Sequence, residues 1–164
     1  MKFKSTSVKV KTTEEMQNIG GLIASFATPN LVIGLNGDLG AGKTVLTKGI
    51  GKYLGIKRTI NSPTFTIMKI YDTTNSLIDK LYHLDVYRLE SADSDFELEE
   101  YFYLGGLTVI EWSVIINDIL PADMWNVEIT ILDEETRIVT IKHNIEDNKL
   151  EESIKELGYE VIYW

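Results

Sequence analysis

The residues with the most specific chemistry are eight consecutive residues, 37 to 44, which read GDLGAGKT. They match the pattern G-x-x-x-x-G-K-[ST] at every fixed position, and this pattern is typical of loops whose backbone N–H groups surround the phosphates of a nucleotide. In such a loop Lys43 contacts the β- and γ-phosphates, and the Thr44 hydroxyl binds Mg²⁺. The sequence therefore predicts Lys43 as a catalytic residue and a nucleotide-binding loop made by Asp38, Leu39, Gly40, Ala41, Gly42, Lys43, Thr44 and Val45.

Two other interpretations of this loop are weaker. A glycine-rich turn with an incidental lysine would not explain why the loop lies between a run typical of a buried strand and a run with helical spacing. A dinucleotide-binding Rossmann loop would need a third glycine where Val45 stands. We therefore expect a phosphate-binding loop.

A magnesium–nucleotide site also needs carboxylates, and two acids follow apolar, extended runs. Asp85 follows residues 81–84, and Glu111 follows residues 107–110. A carboxylate at a strand end can complete the shell of a magnesium ion bound to a nucleotide. We expect Thr44, Asp85 and Glu111 to bind the metal and both acids to be catalytic. The alternative is that each acid lies on the surface at a strand end.

Three other polar features have weaker signals. Residues 61–66 precede a predicted strand, and their hydroxyls could present Thr64 to the γ-phosphate or the metal, although an ordinary turn explains them equally well. His83 is expected to be packed or on the surface rather than a base. The acids at 93, 95 and 97 imitate the start of a calcium loop, but Leu98 stands where glycine is required, so we expect a solvated helix start.

The composition excludes several other kinds of site. The 164-residue chain has no cysteine and two histidines, which excludes disulfides, thiolate metal sites and multi-histidine metal centres. A formal net charge of −9 opposes direct binding of a long nucleic acid, so a polyanionic partner would be reached through another protein. We expect no membrane span and, without the apolar core of a secretion signal at the start, a cytoplasmic protein.

The elements that position these residues follow from hydrophobic spacing. Residues 31–35 are a short apolar run typical of a strand buried on both faces of a parallel sheet, and residues 44–54 have helical spacing before Gly55. Thr12 and Glu15 form a capping box for a helix that ends before Pro29. The other predicted elements are strands at 7–11, 66–71, 77–85, 107–110, 127–132 and 137–142, a short acidic helix from 94 to about 103, and a last helix at about 149–157.

These elements predict one domain, residues 1–164, of the α/β class. The sheet is expected to be mixed, like that of P-loop NTPases, with helices on both faces. Polar turns at 72–76 and 133–136 predict two antiparallel hairpins.

Four motifs in order along the chain resemble the bacterial TsaE proteins, also known as the YjeE family. They are GDLGAGKT at 37–44, NSPTFTI at 61–67, YHLDVYRLE at 82–90 and IEW at 110–112. The resemblance covers nearly the whole chain. It implies a small P-loop ATPase, with ATP and Mg²⁺ as cofactors, that works with two partner proteins, TsaB and TsaD, in the threonylcarbamoyl modification of adenosine in tRNA. The transfer chemistry belongs to the partners, so contact with tRNA would be indirect.

The resemblance also implies roles for individual residues. Asp85 would complete the metal shell, and Glu111 would position the metal or the attacking water. Thr64 would belong to a switch-like loop, and Trp112 would lie near the nucleotide. The sequence departs from the family at residues 113–116, where Ser-Val-Ile-Ile replaces a more polar stretch.

The expected function is Mg²⁺-dependent ATP binding with slow ATP hydrolysis. Slow turnover is expected because no arginine lies close to the loop motif, and Arg88 is the one candidate for a stabilising cation. One alternative is a small-molecule kinase, which would need an arginine-bearing lid that the sequence lacks. The other is a non-catalytic nucleotide-binding regulatory module that moves the segment around Thr64.

Overall fold

The structure is a computed structural model, and it describes residues 2–63, 66–87, 89 and 98–163. The strands are β1 (Lys4–Val10), β2 (Val32–Asn36), β3 (Met68–Asp72), β4 (Lys80–Asp85), β5 (Leu107–Glu111), β6 (Trp125–Ile131), β7 (Arg137–His143) and β8 (Val161–Ile162). The α-helices are α1 (Thr13–Ser25), α2 (Lys43–Tyr53) and α3 (Lys149–Glu156), and two 3₁₀ helices span Leu98–Tyr103 and Ser113–Ile119.

The strands form one mixed sheet in the order β3-β4-β5-β2-β6-β7-β1-β8. Four neighbouring strands, β4, β5, β2 and β6, are parallel to one another, and we call them the parallel half. Strands β7, β1 and β8 continue the sheet by antiparallel pairing, and we call them the antiparallel half. The predicted α/β class, the mixed sheet and both hairpins, β3–β4 and β6–β7, are confirmed.

The two faces of the sheet are covered differently. One core cluster contains the buried apolar residues of α1, α2 and α3 together with alternate residues of the strands. A second cluster contains the other alternate strand residues with the buried residues of the two 3₁₀ helices. Because neighbouring residues of a strand point to opposite faces, the α-helices lie on one face and the 3₁₀ helices on the other. The predicted helices on both faces are therefore present, and in the part of the chain that the structure describes those on the second face are 3₁₀ helices.

Helices α1 and α2 pack closely because glycines face backbone across their contact. A Cβ atom added to Gly20 would lie 2.1 Å from the Leu46 carbonyl oxygen, and one added to Gly49 would lie 1.9 Å from the Gln17 carbonyl oxygen. No larger side chain fits at either position without moving the helices apart. This contact fixes α2, whose first residue is Lys43, relative to the rest of the fold.

The helix starts follow local sequence signals. Thr12 Oγ1 accepts a hydrogen bond from the Glu15 backbone N–H at 3.0 Å, as the capping box predicts. The Glu15 carboxylate accepts from the Lys11 backbone N–H at 3.1 Å rather than from the cap residue.

In the turn of the β3–β4 hairpin, Asn75 Oδ1 accepts two backbone N–H groups, which is the role that favours asparagine in turns.

Some predicted boundaries were wrong. The first strand runs from Lys4 to Val10 rather than over 7–11, because its length is set by pairing with β7 along all seven residues. The strand predicted at 77–85 begins at Lys80, since the residues before it form the turn. Of the helix predicted from 94 to about 103, the described part is the 3₁₀ helix Leu98–Tyr103.

Two elements were missed. The 3₁₀ helix Ser113–Ile119 occupies the apolar stretch that departs from the family pattern, and β8 is only two residues long. Neither has a periodicity that sequence analysis could detect. Among the helices of the described ranges, none is long and apolar enough to cross a membrane.

Candidate functional site

The glycine-rich loop connects the carboxyl end of β2 to the amino end of α2. Gly40 and Gly42 have φ angles of +81° and +115°, in a region that favours glycine, and Gly42 is the N-cap of α2. The loop therefore leads directly into the amino end of α2, where the first backbone N–H groups have no partner within the helix, and such an arrangement is typical of anion-binding sites. The predicted strand, loop and helix are all present.

Lys43 folds back over this loop. Its Nζ donates to the carbonyl oxygens of Gly37 at 2.5 Å and Asp38 at 3.2 Å, and it lies 4.2 Å from the centroid of the Trp112 ring. Burial lowers the pKa of Lys43 below its usual value, while the carboxylates of Glu111, Asp85 and Asp38 act in the opposite direction. The structure thus holds a buried cation at the mouth of the loop.

Asp85 and Glu111 end two neighbouring parallel strands. They lie opposite each other in the pairing of β4 with β5, and both are buried. Asp85 Oδ2 accepts from Ser62 Oγ at 3.3 Å, and Oδ1 accepts from the Tyr87 backbone N–H at 3.0 Å. The alternative that these acids are surface residues at strand ends is wrong.

Glu111 contacts both α2 and β4 through its Oε2 atom. It accepts from the Thr44 hydroxyl at 3.4 Å, and it lies 2.6 Å from His83 Nε2. His83 was expected to be either packed or on the surface, and the structure shows that it is buried. Three chain segments that are distant in sequence therefore meet at one carboxylate oxygen.

These groups surround one cavity of about 300 Å³, which we call the site cavity. It brings together nine of the twelve predicted site residues, together with Ser62, which sequence analysis missed. Ala41 lines a neighbouring cavity, and the Asp38 carbonyl binds Lys43. Thr64 and the proposed cation Arg88 lie outside the described residues, as do the acids at 93, 95 and 97. The residues lining the site cavity are Leu39, Gly40, Gly42, Lys43, Thr44, Val45, Ser62, Asp85, Glu111 and Trp112.

The donors in the site cavity fit magnesium. Asp85, Glu111 and the Thr44 hydroxyl supply hard oxygen ligands, which Mg²⁺ prefers. Within the described ranges, no group of three or more histidine or acidic side chains could hold a metal ion by itself. Magnesium commonly binds one or two carboxylates plus substrate phosphates rather than a complete protein cage, so these residues suit a metal that arrives with a nucleotide.

Trp112 lies between the end of β5 and the loop. It has a left-handed backbone conformation, with φ of +63°, and its N–H donates to the Leu35 carbonyl at 2.9 Å. Its ring lies against the Tyr87 ring, with the centroids 4.9 Å apart, and against the Lys43 ammonium. Trp112 therefore lines the site cavity, while its place near a nucleotide stays a prediction, and Tyr87 was not predicted.

A second cavity, of about 290 Å³, adjoins the site cavity and shares Gly40, Gly42 and Val45 with it. Arg137, at the start of β7, lines it and donates from Nε to the Ala41 carbonyl at 3.2 Å and from Nη2 to the Gly40 carbonyl at 3.4 Å. Sequence analysis missed Arg137, because only the sheet order brings β7 beside a loop that precedes it by nearly one hundred residues. This second space is named the side cavity.

Comparisons with known proteins agree with this geometry. Residues 10–139 match the family model described as threonylcarbamoyl adenosine biosynthesis protein TsaE. The tRNA threonylcarbamoyladenosine biosynthesis protein TsaE of Bacillus subtilis is 45% identical over 138 residues, covering 84% of this chain and 85% of the relative. The protein of the same name from Rickettsia bellii is 38% identical over 143 residues, covering 86% of this chain and 97% of the relative. The crystal structure of Bacillus subtilis YdiB superposes with a TM-score of 0.74 at 35% identity, covering 96% of this chain and 97% of that one.

Proposed function

The chain belongs to the TsaE family, whose members act in the biosynthesis of threonylcarbamoyladenosine in tRNA, and from that premise we propose that it serves this biosynthesis as an Mg²⁺-dependent ATPase. One observation supports the ATPase more than any other. The buried Lys43 ammonium, the Thr44 hydroxyl and two buried carboxylates from neighbouring parallel strands line a single cavity at the start of a helix.

Each group has a distinct role in the proposed reaction. The loop N–H groups and the start of α2 bind the β- and γ-phosphates, and Lys43 places its positive charge on their oxygens. Thr44, Asp85 and Glu111 would hold Mg²⁺, which when bound neutralises charge on the phosphate oxygens. Glu111 also orients the attacking water. Water attacks the γ-phosphorus, and the bond to the β–γ bridging oxygen breaks to give ADP and phosphate.

The side cavity suits the other end of the nucleotide. A nucleoside triphosphate is longer than its phosphate chain, so the ribose and base must extend beyond the loop. The side cavity shares the loop glycines with the site cavity, and its lining includes the apolar residues Val10, Met16 and Val45. We assign the base and ribose to this space.

Turnover is expected to be slow in the isolated chain. No arginine lies among the described residues that line the site cavity. Arg137 donates to backbone carbonyls, and the Arg58 guanidinium lies 4.9 Å from the centroid of the Tyr71 ring. A stabilising cation for the transition state would therefore come from Arg88 or from a partner. The family's partners TsaB and TsaD are the proposed source, with tRNA reached through them.

Calorimetry with Mg·ATP tests the binding step. The wild-type chain should bind one equivalent, and Lys43→Ala should bind roughly 10- to 100-fold more weakly, since hydrogen bonds to charged groups contribute about 1.5 to 3 kcal/mol. Lys48→Ala is the matched control, because Lys48 lies on the same helix but does not line the site cavity. An absence of heat with wild-type protein, or equal binding by Lys43→Ala, would contradict the proposal.

Phosphate release tests the chemical step and separates the alternatives. We expect slow release from the chain alone and faster release when TsaB and TsaD are added. A small-molecule kinase would instead form ADP only with an acceptor and release no phosphate. A regulatory module would bind ATP and leave it intact even in the presence of both partners.

A further inference from the structure

His83 occupies an unusual position for a histidine. It lies in β4, in the parallel half, and is fully buried. Its Nε2 lies 2.6 Å from Glu111 Oε2, and its Nδ1 has no hydrogen-bond partner among the described residues. Its ring is on the same face of the strand as Asp85, two residues later. Within the described ranges, the one polar contact of this ring is therefore to a carboxylate that we place at the reaction centre.

The carboxylate partner identifies which ring nitrogen donates in this contact. An ionised carboxylate oxygen accepts, so Nε2–H is the donor to Glu111, while Nδ1 makes no hydrogen bond among the described residues. Burying a polar atom without a partner destabilises the fold, and an apolar side chain of similar size would avoid that loss. The ring is therefore a poor choice for packing alone, and its distinctive contribution is the bond to Glu111.

That bond determines where the Glu111 carboxylate points. His83 Nε2, from β4, and the Thr44 hydroxyl, from α2, both donate to Oε2. No hydrogen bond within the described ranges reaches Oε1, so this oxygen remains available to the site cavity. A carboxylate held at one oxygen by two donors has fewer rotamers to lose when it meets its target.

We propose that His83 is a positioning residue, which holds Glu111 Oε2 through Nε2–H and so directs Oε1 toward the metal or the attacking water. The proposal rests on the ATPase function argued above. It assigns to His83 no proton transfer and no contact with the nucleotide. Partners of this kind behind metal-binding side chains typically change metal affinity or activity by about 10- to 100-fold.

Two substitutions separate positioning from packing. His83→Gln places an amide N–H at the same distance from the backbone as Nε2, whereas His83→Asn places its amide at the position of Nδ1, too short to reach Glu111. We expect hydrolysis to fall about 10- to 100-fold in His83→Asn, with a higher Mg²⁺ concentration at half-maximal rate, and to return to within about threefold of wild type in His83→Gln.

Controls distinguish this effect from misfolding. ATP binding measured in EDTA should change by less than about twofold in both variants, because the loop and Lys43 are intact. His143→Asn, at the other buried histidine, should leave hydrolysis unchanged. Equal rates for His83→Asn and wild type, or equal losses in His83→Asn and His83→Gln, would overturn the positioning role.

A measurement on the nucleotide-free chain tests the contact independently of activity. In ¹H–¹⁵N NMR spectra, His83 should show a slowly exchanging proton on Nε2, and that signal should shift or vanish in Glu111→Ala. Absence of the signal, or indifference to Glu111→Ala, would overturn the assignment of His83. If wild-type protein neither binds nor hydrolyses Mg·ATP while the signal behaves as expected, the proposed ATPase function fails and the contact stands.

Discussion

The two buried histidines lie in opposite halves of the sheet, and their surroundings differ. His143, in the antiparallel half, has both ring nitrogens paired: Nε2 with Thr6 Oγ1 at 2.9 Å, and Nδ1 as acceptor of the Ile145 backbone N–H at 3.1 Å. For His83, in the parallel half, Nε2 contacts a carboxylate and Nδ1 has no hydrogen-bond partner among the residues that the structure describes. The histidine of the antiparallel half is paired within its own strands and the following turn, while the histidine of the parallel half contacts a residue that lines the site cavity.

Buried charge follows the same division. Among the described residues, the buried charged side chains are Lys43, Asp85 and Glu111, and all three line the site cavity beside the parallel half. In the antiparallel half the buried polar groups are neutral, as in the bond of Ser7 Oγ with Thr140 Oγ1 at 2.9 Å. Burying charge costs stability unless it is compensated, so its concentration at one end of the sheet indicates function there.

The largest effect is expected from Asp85→Asn. If Asp85 holds the metal as proposed, losing this carboxylate should lower Mg²⁺-dependent hydrolysis by at least about 100-fold, because a bound metal contributes several kcal/mol to the transition state. ATP binding in EDTA should survive, since the glycine-rich loop proposed to bind the phosphates is unchanged. The measurement is phosphate release as a function of Mg²⁺ concentration.

Asp79→Asn is the matched control for that variant. Asp79 is exposed and immediately precedes β4, whereas Asp85 ends the same strand, so the two variants remove the same charge at opposite ends. We expect Asp79→Asn to hydrolyse ATP at the wild-type rate. A similar loss in both variants would mean that net charge matters rather than the carboxyl end of the parallel half.

The next largest effect concerns the contact between α1 and α2, which fixes the position of α2. Gly49→Ala should destabilise the fold by about 2 to 3 kcal/mol, because the new Cβ would overlap the Gln17 carbonyl, and it should weaken ATP binding as well. Gly21→Ala, on the facing helix, would place its Cβ at an ordinary 3.5 Å from the Gly49 carbonyl. It should be stabilising by up to about 1 kcal/mol, since alanine favours helix.

Urea unfolding measures the free energy of unfolding of each variant, and calorimetry measures its affinity for ATP. If Gly49→Ala unfolds more easily but binds ATP as wild type does, the site does not depend on this helix contact. The loop would then be held by β2 and by Arg137 instead.

The sequence predicted the parts of the site that are local and missed the parts that are not. The glycine-rich loop, α2 and the Thr12 cap of α1 depend on residues within a few positions of one another, and all three were predicted, although Glu15 pairs with the Lys11 N–H rather than completing the capping box. The contact of His83 with Glu111 depends on the register between two strands 28 residues apart, which no local pattern encodes. Arg137 was missed for the same reason. Thr64 stays a prediction, because it lies outside the described residues.

A pH effect is expected from the antiparallel half. Burial lowers the pKa of His143 below its usual value of 6.5, and the charge of Lys4 lowers it further. The unfolded chain therefore binds a proton at a higher pH than the folded chain does. The contribution of neutral His143 to the free energy of unfolding is fully present above about pH 6.5. It is lost as the pH falls below that value, by up to about 1.4 kcal/mol per pH unit.

His143→Asn isolates this effect. The amide oxygen of asparagine can still accept from the Ile145 N–H, but it does not titrate between pH 5 and 8. Unfolding free energies measured in urea between about pH 7.5 and 5.5 should therefore fall less steeply for the variant than for wild type. Parallel curves for the two proteins would show that His143 does not sense pH, and that the contrast between the histidines is limited to hydrogen bonding.

The smallest effect tests whether burial or charge pairing separates the two halves. Lys9 Nζ and Glu160 Oε2 are 3.5 Å apart, with side chains 31% and 62% exposed, at the edge of the antiparallel half. Lys9→Met should change the free energy of unfolding by less than about 0.5 kcal/mol, since exposed ion pairs are screened by water and salt. The same measurement in about 1 M NaCl should remove what difference remains. A loss above about 1 kcal/mol would mean that exposed pairs hold the antiparallel half together. A negligible loss of stability would indicate that the charges at the site cavity matter because they are buried, whereas the exposed Lys9–Glu160 pair contributes little.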